Sequence, residues 1–199
     1  MVMPGSSFSG PLPPLTGRAE ELRCALERHV NILAGEIGPR SMFVYDGLRR
    51  AQHYISGCWQ EAGYEVQREE YWLPLGESKL SAANLFVEVP GALKPKRILI
   101  IGAHYDTVGE DCPGANDNGS GVAALIELAR RFKNETPAIT LRFAAFANEE
   151  PPFFMTEHMG SVVHACAAKA RGEDIAGMLS LETIGYYTDS PGSQTYPAP

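Results

Sequence analysis

A chain of 199 residues, 44% hydrophobic and free of repeats or biased tracts, is long enough to close one core without disulfide staples. Its net charge of −7 argues against the basic patch that nucleic-acid recognition needs, and no apolar run approaches the ~20 residues of a membrane span. Four scattered cysteines, Cys24, Cys58, Cys112 and Cys166, form no CxxC pair, which disfavours a cysteine zinc site and makes free thiols in a cytoplasmic chain the default, with secretion left open.

The opening MVMPGSSFSGPLPPLTG has neither a basic leader nor a continuous apolar stretch, so residues 1–17 read as a flexible arm before one domain over 18–199. Apolar spacing predicts helices over Arg18–Ala34 and Leu48–Ala62, the second ended by Gly63. YEVQREEYWL and NLFVEVPG then read as strands. RILIIGAH is a continuous aliphatic run, the pattern of a strand covered on both faces. A helix over Ser120–Phe132, a strand ITLRFAAF, a helix over Gly160–Ala170 and a strand GMLSLE follow. This alternation predicts an α/β fold, a mixed, mainly parallel sheet between helix layers.

Ligands of open α/β sheets bind beyond the carboxyl ends of the strands. Here those ends carry His104 and Asp106, then Glu149 and Glu150, then Glu182, and the loop GANDNGSG adds Asp117. Singly, each has a plain reading: NDNG as a turn, NEE as a solvated loop, HYD as a strand end with a satisfied histidine. Together on one sheet edge they are poorly explained by coincidence. The adjacent carboxylates in FAAFANEEPP repel one another and call for a compensating charge. A phosphate would meet Asp117, and Ser120 in NGSGV is not in a G-x-S-x-G elbow. A divalent cation, zinc first, suits the donors best.

GAHYDTV, GANDNGSGVAALIELAR, ANEE and GMLSLETIGYY, in that order between Arg97 and Tyr187, resemble the motifs of the co-catalytic zinc aminopeptidases. That clan also holds glutamate carboxypeptidase II, the transferrin receptor ectodomain and the glutaminyl cyclases. The resemblance implies a zinc exopeptidase with two zinc ions and a peptide substrate. By motif, His104 binds one zinc and Asp106 fixes its imidazole. Asp117 bridges both metals, Glu150 binds the second, and Glu182 completes the first. Glu149 binds no metal and is the general base on the water between the zincs.

Two departures stand out. Many relatives carry aspartate where Glu182 stands, and a further histidine, which in the family completes the second zinc site, has no counterpart after His164. The chain therefore reads as the N-terminal part of a longer enzyme with one complete zinc site. His158, after EEPPFFMT, is the nearest stand-in; His164, inside a predicted helix, reads as packed or surface, and His29 and His53 as ordinary helix residues. Two other readings share the scaffold: a single-zinc glutaminyl-cyclase-like acyltransferase, and a non-catalytic interaction domain. The oligomeric state stays open, since an exposed edge strand would invite pairing.

Overall fold

A computed structural model describes residues 11, 13–75, 78–186 and 188. Most of the arm expected over residues 1–17, and Tyr187 of the last motif, lie outside them. Helix α1 spans Gly17–Val30, entered through Thr16, whose Oγ1 accepts from the Ala19 N–H (3.3 Å). It runs on into a π-helical turn, Asn31–Ile37. Helix α2, Tyr45–Glu61, buries the predicted stripe: Leu48, Ala51, Ile55 and Trp59 have no exposed surface. Each of the larger three contributes about 1.5–3 kcal/mol on burial.

The sheet has five strands in the order β1-β2-β4-β3-β5: β1 (Gln67–Leu75), β2 (Ser78–Val89), β3 (Lys94–His104), β4 (Ile139–Phe146) and β5 (Asp174–Ser180). It is mixed, as expected. β4, β3 and β5 run parallel, while β2 is antiparallel to both β1 and β4. β2 begins earlier than its aliphatic part suggests. SKLSAA is polar and small, yet it pairs along β1 through Leu73↔Leu80 and Tyr71↔Ala82.

Helix α3 (Gly121–Phe132) joins α2 on one face, over Leu85, Val87, Ile101, Ala103 and Phe143. Helix α4 (Gly160–Ala170) covers the other, where His164 meets the rings of Phe86 and Phe146 beside Ile98, Ile100 and Ala144. β3 is thus enclosed on both faces, which is why its aliphatic run does not alternate. Gly102 fits this packing: a Cβ there would lie 2.5 Å from the Phe146 ring and 2.9 Å from Met178 Cε. β5 is one edge of the sheet; it alternates exposed with half-buried positions as far as Met178 and is exposed at Leu179 and Ser180.

Candidate metal centre

The parallel strands β3, β4 and β5 end together. His104 closes β3 opposite Phe146, and Gly102 pairs with Ser180 near the end of β5. Two backbone bonds extend that alignment past the strands, Tyr105 N–H to Phe146 O (2.9 Å) and Leu181 N–H to Gly102 O (2.8 Å). Parallel strand direction thus delivers the sequence-predicted side chains to one place. His104 is buried, and its Nε2 lies 3.0 Å from Asp117 Oδ1, 3.4 Å from Glu182 Oε2 and 3.8 Å from Glu149 Oε2.

Two sets of donors converge, each with its ligand atoms within 4.8 Å of one another: His104 with Asp117 and Glu182, and His104 with Glu149 and Glu150. All four expected ligands and the expected base are therefore in one cluster. His158 is in neither set; it lies 3.7 Å from the Glu157 carboxylate, edge-on to Phe153. His164 packs under the opposite face of the sheet. His29 bridges Tyr54 (2.6 Å) and Glu127 (2.9 Å), tying the three helices α1, α2 and α3 together.

Asp106 was expected to orient His104, and its Oδ1 lies 3.4 Å from the imidazole Nδ1. That contact lacks hydrogen-bond geometry, so the buried Nδ1 has no hydrogen-bond partner. The carboxylate also does something the motif does not announce. It accepts the backbone N–H groups of Glu149 (3.1 Å) and Glu150 (3.0 Å), tethering the end of β4 to the end of β3.

The Ala115–Ser120 turn leading into α3 holds the third strand's exit. Asn118 Nδ2 donates to Leu181 O (2.8 Å) and Glu182 Oε2 (3.3 Å), and its Oδ1 accepts from Gly121 N–H (3.0 Å). Asn116 Oδ1 accepts from Gly185 N–H (2.9 Å), and Ser120 Oγ from Ile184 N–H (3.1 Å). These three side chains, unassigned in the sequence reading, place Glu182. The polar crowding of GANDNGSG was the available signal.

Electrostatics test whether a cation fits. Among the described residues no lysine or arginine forms an ion pair with Asp106, Asp117, Glu149, Glu150 or Glu182. Burial and then the neighbouring Asp117 push Glu150 up to about 7; Glu149 is raised by burial, and by Asp106, Glu182 and Asp117, against His104. Burial opposes charging His104, yet Asp106 and Glu182 raise it to about 11. Five carboxylates around one imidazole, with an orphaned ring nitrogen, are a donor set short of positive charge. A borderline divalent ion with nitrogen and oxygen ligands fits it.

A family model for Peptidase family M28 matches residues 84–198. The chain belongs to peptidase family M28. Among its relatives, the uncharacterized protein YfbL of Escherichia coli K12 is 38% identical over 181 residues, covering 87% of this chain and 53% of its own length. A probable zinc metalloprotease of Pyricularia oryzae is 34% identical over 119 residues, 56% of this chain and 23% of that protein. This M28 chain thus spans about half the length of the first relative and less of the second.

Solved structures share the fold. Glutaminyl cyclase of Fimbriiglobus ruber superposes with a TM-score of 0.66 at 23% identity, over 86% of this chain and 65% of that one. A leucine aminopeptidase precursor of Bacteroides thetaiotaomicron gives 0.65 at 21%, over 83% and 62%. The cluster around His104 has the donor chemistry that zinc takes.

Proposed function

We propose that this M28 chain carries the catalytic half-site of a zinc-dependent exopeptidase, acting as an aminopeptidase on the N-terminal bond of a peptide. The observation that carries the reading is the meeting of His104 with Asp117, Glu182, Glu149 and Glu150 at the ends of three strands. His104, Asp117 and Glu182 would hold one zinc, and Asp117 and Glu150 would contribute to a second. Bound zinc supplies a Lewis acid that polarises the scissile carbonyl and acidifies the attacking water.

The chain's own groups do the rest. Glu149 takes the proton from the attacking water and passes it to the leaving amine. Asp106 fixes the backbone on which Glu149 and Glu150 are mounted, so base and ligand keep their spacing. Asn118 steadies Glu182 from the Asp117 turn. A second reading, single-zinc acyl transfer of the glutaminyl-cyclase kind, is favoured by one fact: both donor sets share His104, so one ion alone has a histidine-containing set of its own.

The test is a pair of substitutions read by zinc content and by turnover of an amino-acid p-nitroanilide. Glu149→Gln should keep zinc and lose turnover by about 10²–10⁴-fold, whereas Glu150→Ala should lose zinc. Equal metal loss in both would sink the assignment. Cyclisation of an N-terminal glutamine peptide, with no p-nitroanilide turnover and one zinc per chain, would select the second reading.

A further inference from the structure

Arg40 is a charged residue in a glycine-proline turn, a place normally solvated, yet it has no exposed surface. Its guanidinium meets no carboxylate. Nε donates to Tyr105 O (2.7 Å), Nη1 to Leu33 O (3.2 Å), Gly38 O (3.2 Å) and Pro113 O (2.5 Å), and Nη2 to Gly114 O (2.7 Å). Its backbone N–H donates to Thr107 Oγ1 (3.0 Å), and the next residue, Ser41, donates its hydroxyl to Gly109 O (2.5 Å).

The carbonyls so gathered have a pattern. Tyr105 follows His104, Gly114 precedes the Asp117 turn, and the intervening loop is the only covalent path between the two ligands. A loop of that length has many closed forms in isolation. The guanidinium grips both its ends and its neighbours grip the middle. Gly114 sits at φ +57°, and a Cβ there would lie 2.3 Å from Thr107 Cγ2, 2.4 Å from Asp117 O and 3.0 Å from Arg40 Nη2. The turn is closed so tightly over Thr107 and the Asp117 carbonyl, beside the arginine, that no larger residue fits.

We propose that Arg40 is a positioning residue for the zinc centre. Its planar fork sets the separation of Tyr105 O from Pro113 O and Gly114 O, and thereby the 3.0 Å approach of Asp117 Oδ1 to His104 Nε2. Burial draws the guanidinium down to about 10, with Asp106 and Asp117 opposing, so it remains a cation at neutral pH behind the acidic cluster. The inference rests on the zinc reading above.

The geometry makes Arg40→Lys informative. Lysine keeps the charge but offers donors from one point, which cannot span carbonyls on four segments. In the 199-residue chain, zinc affinity would be measured by competition with a chromophoric chelator, and the ligand field by the visible spectrum of the cobalt(II) form. Arg40→Lys and Arg40→Met should each weaken zinc about 10–100-fold and alter the cobalt spectrum. Arg142→Met, a buried arginine on the far face, serves as control and should destabilise the chain with zinc affinity unchanged. Full rescue by lysine, an unaltered affinity and spectrum in Arg40→Met, or equal weakening by Arg142→Met would each overturn the proposal.

Should both Arg40 variants fail to fold, Thr107→Val removes only the acceptor for the Arg40 N–H. A severalfold weaker zinc affinity then supports positioning, and wild-type affinity overturns it. Wild-type chain that takes up no zinc would overturn the metal reading itself, a result distinct from the variants matching a zinc-binding wild type.

Discussion

Two of the buried histidines, His164 and His104, each stand beside several carboxylates, and of these two sets the one around His164 is balanced by permanent cations. Around His164, Arg142 Nη1 donates to Nε2 (3.2 Å), which leaves Nδ1 to donate to Glu69 (3.0 Å). Arg142 also pairs with Glu88 (2.7 Å) and Glu173 (2.6 Å), and Arg171 with Glu173 (2.7 Å) and Glu69 (3.4 Å). Around His104, five carboxylates converge with no arginine or lysine in contact among the described residues. Opposite shifts follow. For Glu69 burial is outweighed by hydrogen bonds from His164 and Asn84, and for Glu173 by those from Arg142 and Arg171, so both are held at about 2. Glu150 is pushed up to about 7. Similar residues make a finished structural network in one place and a vacancy of charge in the other. What distinguishes a binding site from a buttress is the unmatched sign, not the residue types.

The hardest way to break the network is to remove its central cation. Arg142→Met removes the buried cation shared by exposed Glu88 and half-buried Glu173, leaving Glu88 without its partner and Glu173 with Arg171 alone. Breaking a fully buried pair from one side costs about 3–5 kcal/mol. Here solvent screens Glu88 and Arg171 still faces Glu173, so the loss should be smaller but still the largest of these effects, read as a fall in the urea midpoint. Zinc content should not change, because none of the bonds to Asp106, Asp117 or Asn118 runs through Arg142. Loss of zinc at matched stability would mean that the two regions are one mechanical unit.

Acid gives a gentler test. Glu69 and Glu173 have folded proton affinities below their unfolded value of 4.5, so between about 4.5 and 2 the unfolded chain binds more protons. Their contribution is fully present above pH 4.5 and is lost as the pH falls toward 2. Glu173→Gln should flatten that limb, removing on the order of 2 kcal/mol of its pH dependence, read from urea denaturation at pH 2.5–6. An unchanged limb would show that the Arg142 pairing does not depress Glu173.

The acidic half of this contrast is legible in the sequence; the balanced half is not. β3, β4 and α3 were marked by aliphatic runs or 3.6-residue stripes, and parallel direction alone carried His104, Glu149, Glu150 and Glu182 to one edge. What stayed hidden depends on contacts distant in the chain. Arg40 reads as a solvated turn residue because nothing local reveals that Tyr105, Pro113 and Gly114 turn their carbonyls onto it. Asp106 was assigned to a histidine, but its bonds to the Glu149 and Glu150 N–H groups need β3 and β4 side by side. His164 read only as a helix residue, since Glu69 lies 95 positions earlier. SKLSAA became strand only through its pairing with β1.

The subtlest expected effect concerns Glu149, where the same Glu→Gln change should act with the opposite sign to Glu173→Gln. In the zinc-free chain Glu149 is a half-buried anion beside Asp106, Glu182 and Asp117, relieved only by His104 at 3.8 Å. Neutralising it removes repulsion that solvent already screens, so Glu149→Gln should raise stability by roughly 0.3–0.5 kcal/mol. With zinc added the crowd of carboxylates has its counter-charge, and the gain should vanish. Paired denaturation curves of wild type and Glu149→Gln, with zinc and with chelator, measure both halves. A loss of stability in chelator would mean that the long contact with His104 outweighs the three carboxylates. The acidic edge would then be a closed ionic network like the one around His164, with no charge left for a metal to supply.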